Sequence, residues 1–272
     1  MTDDLKTPEA APAPAPAPKP AEKPSALKSW ISGRSVLALG VSVVALGFAA
    51  APWIAPSAFG DRVVRPYLIS HPEVLDEAVQ ARQANDDQAR VADINAAVAA
   101  NPALLRPDAR DPSFGPADAK VTVVEFFDFR CPGCKAVAED YLRLMKSQPD
   151  VRFVFKDWPI LDRDGPPVSQ YAARAALAAH KQGKYLQVYE ALMAQRAMTI
   201  ESVDQALVAA GVDLARAKAD IASTDTTRHV ADIHTTAATF KLTGTPTFLI
   251  NGKTTSSIAP EDVLKAIEAA KN

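Results

Sequence analysis

Only two cysteines occur in the 272 residues, Cys131 and Cys134, in a C-x-x-C arrangement with Pro132 and Gly133 between them. The thiolate is the reactive form of cysteine. The β-branched and aromatic run from Val121 to Phe129 reads as a strand, and Cys131 to Gln148 has helical periodicity. The pair therefore opens a helix, where free N–H groups and the positive end of the helix dipole favour an anionic sulfur. Pro132 suits the first helical turn. Cys131 is expected to be the attacking thiolate, and Cys134, one turn inward, to resolve the mixed disulfide. Two thiolates could instead hold a soft cation such as Cu(I). With no third cysteine and no histidine in the motif, a structural zinc site is disfavoured, and no metal ligand is assigned. The strand-then-helix setting favours redox exchange.

The elements that must carry this pair follow from patterning. Val151 to Trp158 reads as a second strand, with Val137, Tyr141, Leu144 and Met145 forming one side of the helix between the two strands. An Ala-rich helical block runs from about Pro166 to Lys241, broken near Gly183, Thr199 and Gly211. Thr247 to Ile250 and Lys253 to Ser257 flank Asn251-Gly252, a hairpin signal because a type I′ turn needs positive φ at both central positions. Pro260-Glu261-Asp262 opens a last helix. The order β-α-β, helical block, β-β-α predicts an α/β core with a helical insertion at about 159–241. Glu125 alternates onto the face of Val121, Val123, Phe127 and Phe129, where desolvation should raise its pKa. Pro246 reads either as a trans proline at a strand start or as a cis one. His180, His229 and His234 fall in the helical block without ligand spacing to the cysteines, and His71 reads as a turn residue.

The 48% hydrophobic content supports a sizeable core, and the length fits one or two domains. A net charge of −2 argues against nucleic acid as a partner. Seven of the 22 prolines lie in residues 1–24, so 1–35 reads as an extended, disordered Ala/Pro-rich tail. No charge occurs from Ser35 to Gly60, and the apolar stretch Val36 to Ala55 matches a bilayer core at ~1.5 Å per residue. A transmembrane anchor at 36–59 is expected, because Pro52, Phe48 and Trp53 spoil the frames for signal cleavage. Lys23, Lys28 and Arg34 before it, against Arg62 and Arg65 after it, predict a cytoplasmic N-terminus. Residues 60–113 read as a helical stalk or oligomerisation segment. It begins at a capping box, Ser70 to Glu73, and carries two apolar stripes, Val74, Leu75, Ala78 and Val79, then Val91, Ile94 and Val98. A helix packed back on its own domain is the competing reading.

Several segments together resemble the DsbA-like thiol–disulfide oxidoreductases. Val123 to Lys135 is similar to their active-site segment, Lys156 to Leu161 to their second-strand exit, and Gln182 to Tyr185 with Tyr189 to Met193 to a helix pair of their inserted domain. Thr243 to Phe248 looks like their cis-proline loop, and Tyr67 to Leu75 resembles the N-terminal segment of the ScsC-like branch. The resemblance implies a thioredoxin-like fold at 114–272, a buried acid at Glu125 that moves protons for the second cysteine, and a cis Thr245–Pro246 bond. Thr245 backbone groups would then pair with an extended substrate peptide. Threonine before the loop proline is more typical of isomerase-like members, and Pro132-Gly133 differs from the dipeptides usual in the strong oxidases. The expectation is a single-pass bacterial inner-membrane protein with a periplasmic catalytic domain. It would act on disulfides of unfolded or misfolded proteins, leaning to isomerase or reductase, with a dithiol oxidase and a tethered Cu(I) binder as alternatives. No cofactor is expected; a membrane redox partner and a homotrimer are.

Overall fold

The computed structural model describes residues 41–47, 49–50, 60–106 and 108–272. The expected tail and most of the expected anchor lie outside the described residues. Residues 41–47 and 49–50 are helical, and no helix among the described residues is long and apolar enough to cross a membrane. The chain divides into two compact units, 1–77 and 78–272.

In the first unit a π-helical turn, Gly60–Val64, leads into α1, Arg65–Ser70. The expected capping box at Ser70 does not form. Ser70 Oγ instead donates to the carbonyls of Pro66 at 2.9 Å and Tyr67 at 3.0 Å, which makes it the last residue of α1 rather than a cap for the next helix. Helix α2 spans Glu73–Ala100, as the periodicity predicts.

The second unit is a five-stranded sheet covered on both faces. Its strands are β1, Ser113–Phe114; β2, Val121–Phe127; β3, Val151–Asp157; β4, Thr247–Ile250; and β5, Lys253–Thr254. Their order is β1-β3-β2-β4-β5, with β2 and β3 parallel and the other neighbours antiparallel. Parallel strands need a crossover, and α3, Pro132–Ser147, supplies it. The insertion consists of α4, Val168–His180; α5, Tyr185–Met193; α6, Ile200–Ala209; α7, Leu214–Ala222; and α8, Thr224–Thr239. The chain ends with α9, Pro260–Lys271. Breaks fall near the three expected places and at Ser223, whose side chain caps α8.

Successive strand residues face opposite sides, and this alternation builds two cores. Val121, Val123, Phe127, Phe153 and Phe155 pack with α3, α5 and α9. Val124, Phe126 and Val154 pack with Trp158, Ile233, Ala237 and Phe240 on the other face. Ile94 and Val98 of α2 are buried in that second core. The second apolar stripe of the expected stalk therefore covers the sheet, because Val124 and Phe126 would otherwise face water. β1 straddles the expected domain limit, pairing with β3 through Ser113 and Val154 as well as Phe114 and Phe153. The expected boundary at 114 moves back accordingly. Leu75 and Val79, of the first stripe, remain exposed.

The Asn251-Gly252 turn has φ of 46° and 80°, both positive as a type I′ hairpin demands. A Cβ on Gly252 would stand 2.8 Å from Leu105 Cδ1.

Candidate active site

Strand β2 ends at Phe127, and the chain turns through Asp128 to place Cys131 at the N-cap of α3. Asp128 builds this turn. Its carboxylate accepts from the amides of Arg130 at 2.7 Å, Ile160 at 2.8 Å and Leu161 at 3.0 Å, and from Ser169 Oγ at 2.9 Å. Its own carbonyl accepts from the Cys131 amide. The site loop is thereby tied to the exit of β3 and to α4. Arg130 adds a bond to Asp162 at 3.0 Å, and Asp162 in turn accepts from the first amides of α4. Sequence patterning missed Asp128, although a single acid inside the run Phe126 to Phe129 was a visible irregularity.

The two sulfurs have opposite surroundings. Cys131 keeps 8% of its surface exposed, and Cys134 none. The Cys131 pKa falls to about 5. The main cause is the Cys134 thiol donating to the Cys131 sulfur, helped by the Thr245 hydroxyl and then by the amides of Cys134 and Gly133, against the opposing effect of burial. The sulfur also lies 3.1 Å from the Thr245 carbonyl oxygen, to which it donates while protonated. A carbonyl offers nothing to an anion, so the donors on α3 and the Thr245 hydroxyl are what hold the thiolate. Burial raises the Cys134 pKa far above its ordinary value, reinforced by its bond to Cys131 and the charge of Glu125. One sulfur is held ready as a thiolate and the other is held as a thiol.

The remaining expected residues gather round this pair. The Thr245–Pro246 bond is cis. Pro246 Cδ would lie 3.4 Å from a Cβ on Gly133, and Ile258 Cδ1 3.6 Å, so Gly133 keeps the space between the thiols and the proline loop free. Glu125 is fully buried beneath Cys134, as its alternation predicts. Burial raises its pKa well above the ordinary carboxylate value, the charge of Asp157 adds to the effect, and only a 3.5 Å contact from the Tyr189 hydroxyl opposes it.

Two further buried groups went unnoticed in the sequence. Asp157 shares the face of Glu125, because Phe127 pairs with Asp157 as Glu125 pairs with Phe155. Burial pushes its pKa up to about 8, although Tyr185 donates to it at 3.0 Å. On the opposite face, Lys156 pairs with buried Asp111 at 2.6 Å. His229 Nε2 lies 3.1 Å from the same carboxylate, at an angle that leaves both atoms without a hydrogen bond. Burial works against the charge on Asp111, but His229 and Lys156 outweigh it and keep its pKa below the ordinary value. His234 accepts from Trp158 Nε1 at 3.1 Å, and His180 is half-buried against Tyr185. None of the three histidines reaches the thiols. No group of three or more ligating side chains forms among the described residues.

A low-pKa cysteine at a helix start, a buried partner one turn on, and a cis-proline loop across from them define a thiol–disulfide oxidoreductase. Residues 108–269 match the family model described as Thioredoxin, and the chain belongs to that family, within its DsbA-like division. A thioredoxin-like oxidoreductase from Silicibacter pomeroyi is 32% identical, with a TM-score of 0.57 over 63% of this chain and 98% of that one. An ScsC variant from Proteus mirabilis is 22% identical and shares the fold, with a TM-score of 0.58 over 77% of this chain and 92% of that one. Among curated proteins, the Na(+)/H(+) antiporter NhaA 3 of Salinispora tropica is 33% identical over 145 residues, 53% of this chain. The chain spans only 22% of that antiporter's length. A Bacillus cereus protein described as a probable disulfide bond formation protein D is 29% identical over 52% of this chain and 69% of its own.

Proposed function

We propose that this oxidoreductase shuffles or reduces incorrect disulfides in unfolded or misfolded proteins outside the cytoplasm, held to the bacterial inner membrane by residues 36–59. The observation that carries this reading is the inequality of the two sulfurs. Cys131, with a pKa of about 5, attacks as a thiolate at neutral pH, whereas burial holds Cys134 as a thiol. A mixed disulfide at Cys131 then waits for a second event. Either a substrate thiol attacks it, which rearranges the substrate, or Cys134 resolves it, which reduces the substrate. Glu125, buried beneath Cys134, accepts the proton that Cys134 must lose. The Thr245 backbone, beside Cys131, lies where an extended substrate strand can pair with it.

Several features support the setting. The uncharged stretch Val36 to Ala55 fits an anchor. A periplasmic thioredoxin-like protein of Salmonella enterica is 26% identical to this chain. Leu75 and Val79 leave apolar surface on α2 for a homotrimer contact. A membrane redox partner would keep Cys131 reduced.

The test compares refolding of scrambled ribonuclease in reducing buffer with oxidation of reduced ribonuclease. Rescue of the scrambled enzyme at least as fast as oxidation is expected. Thr245→Val, which keeps the branched shape and loses the hydroxyl, should shift the balance toward oxidation. Rapid oxidation with the scrambled enzyme left untouched would make the protein an oxidase and end this reading.

A further inference from the structure

Beneath the dithiol lie two carboxyls where the exchange reaction calls for one. Glu125 and Asp157 are 0% and 1% exposed. They occupy neighbouring strands on one face, offset by two paired positions. Each leaves an oxygen with no hydrogen-bond partner, Oε1 of Glu125 and Oδ1 of Asp157. Their other oxygens meet two tyrosines of a single helix, Tyr189 at 3.5 Å from Glu125 and Tyr185 at 3.0 Å from Asp157. The other titratable groups facing them are Cys134 and Tyr141 from α3, and His180, which touches Tyr185 from α4, while Asp111, from the segment before β1, acts on Asp157 by its charge from the opposite face. Among the described residues no Lys or Arg faces them directly, since Lys156 points to the opposite face and pairs there with Asp111. Burial disfavours the charge on each, and a charge on Asp157 further disfavours ionisation of Glu125.

The hydrogen bonds decide which one ionises first. Asp157 receives a true bond from Tyr185, whereas Glu125 has only a contact at the limit of bonding distance. Asp157 is the better stabilised anion, and Glu125 must then lose its proton against that charge.

We propose that Glu125 and Asp157 titrate as one coupled pair, and that Asp157, once ionised, is the positioning residue that keeps the proton on Glu125, slowing Cys134 and prolonging the mixed disulfide at Cys131. This rests on Glu125 serving Cys134, as proposed above. In the resolving step the Cys134 S–H proton passes to the Glu125 carboxylate. The sulfur's electron pair attacks Cys131 Sγ, the Cys131–Cys134 disulfide forms, and the bond from Cys131 to the substrate sulfur breaks. The substrate leaves as a thiolate with that electron pair. The dithiol is oxidised by two electrons and the substrate disulfide is reduced by two. A Glu125 that already carries a proton cannot begin this step, so the mixed disulfide persists long enough for a substrate thiol to attack it.

The test follows the glutathione mixed disulfide of the full-length protein. Reduced protein is mixed with glutathione disulfide, quenched in acid and weighed by mass spectrometry, from about pH 5 to about pH 9. The rate of resolution should rise with pH as Glu125 ionises. Asp157→Asn should move that rise to lower pH by about one unit or more, shortening the life of the mixed disulfide roughly tenfold at a pH on the rising limb. Tyr185→Phe should move it the same way by less, because Asp157 without its donor holds its own proton and loses its charge. Glu125→Gln should abolish the rise. If Glu125→Gln leaves the profile unchanged, Glu125 is not the acceptor, and the reading beneath the proposal fails with it. If Glu125→Gln acts but folded Asp157→Asn and Tyr185→Phe both keep the wild-type limb, only the role of Asp157 is overturned. Should the asparagine variant not fold, Tyr185→Phe alone decides.

Discussion

Replacing Cys134 by alanine tests what holds the Cys131 thiolate. The Cys134 thiol is the leading cause of the low Cys131 pKa, ahead of the amides of α3. A hydrogen bond to a charged group contributes ~1.5–3 kcal/mol, and 1.36 kcal/mol is about one pKa unit. The Cys131 sulfur is partly open to water, which screens the interaction and favours the lower end of that range. Cys134→Ala should therefore raise the midpoint from about 5 to about 6. Cys134→Ser keeps an O–H donor in the same place and should leave the midpoint within about half a unit. The assay is thiolate ultraviolet absorbance against pH, checked by the rate of iodoacetamide alkylation. An unchanged midpoint in the alanine variant would show that the helix amides and the Thr245 hydroxyl hold the anion without Cys134, and the argument from Cys134 would be wrong. The same shift sets a sign for stability. The folded pKa of Cys131 is depressed, so the stability of the reduced form is gained above the unfolded value of 9.0 and lost as pH falls through about 5. The oxidised form has no thiol to titrate, so the reduced form should lose stability relative to the oxidised form across that window on acidification. Denaturation of both forms at a series of pH values measures it.

Asp128→Ala removes the acceptor of three amides and one hydroxyl, and should cost about 2–4 kcal/mol in urea unfolding while loosening the Cys131 loop. A loss under about half a kcal/mol would mean water satisfies those donors. Lys156→Met leaves the buried Asp111 carboxylate with only His229 and the Asp108 amide beside it and should cost about 3–5 kcal/mol at neutral pH, with much of that recovered when Asp111 is also made apolar. Gly252→Ala forces a side chain into positive φ against Leu105 and should cost about 1–2 kcal/mol, read as a fall in the melting temperature.

Much of the fold was legible because its signals are local. The Asn-Gly turn, the alternation of β2 and the breaks of the helical block depend on neighbours in sequence. The limit of the domain was not legible, for a physical reason. Ile94 and Val98 form an apolar stripe that would serve a partner helix as well as a sheet. What decides between them is the uncovered outer face of β2 and β3, and that face exists only once the strands have paired. Ser70 misled similarly. Its hydroxyl can cap a following helix or bond back to the preceding turn, and α1, which offers the back-bonding partners Pro66 and Tyr67, was not foreseen.

At the site, the cysteines and the buried position of Glu125 could be read from residue type and alternation, whereas Pro246 alone left the bond open and the cis form was implied only by the resemblance of the Thr243 to Phe248 loop. Asp157 could have been read by the same alternation that picked out Glu125. Counting by twos from Val151 through Phe153 and Phe155 reaches Asp157 on the dithiol face, and Lys156 necessarily on the other. The adjacent Lys156-Asp157 suggests a neutralised pair, and the strand geometry forbids it. Lys156 goes to the opposite face, where its partner is Asp111, reached only after β1 has joined the edge of the sheet. Asp157 is thereby left without a cation, and its charge can be offset only by taking a proton or by the Tyr185 hydroxyl. Burial is the first cause of the proton-holding character of Glu125, and one residue of strand register supplies the second, the uncompensated charge of Asp157. An ammonium beside Asp157 would neutralise that charge and leave burial alone to hold the proton.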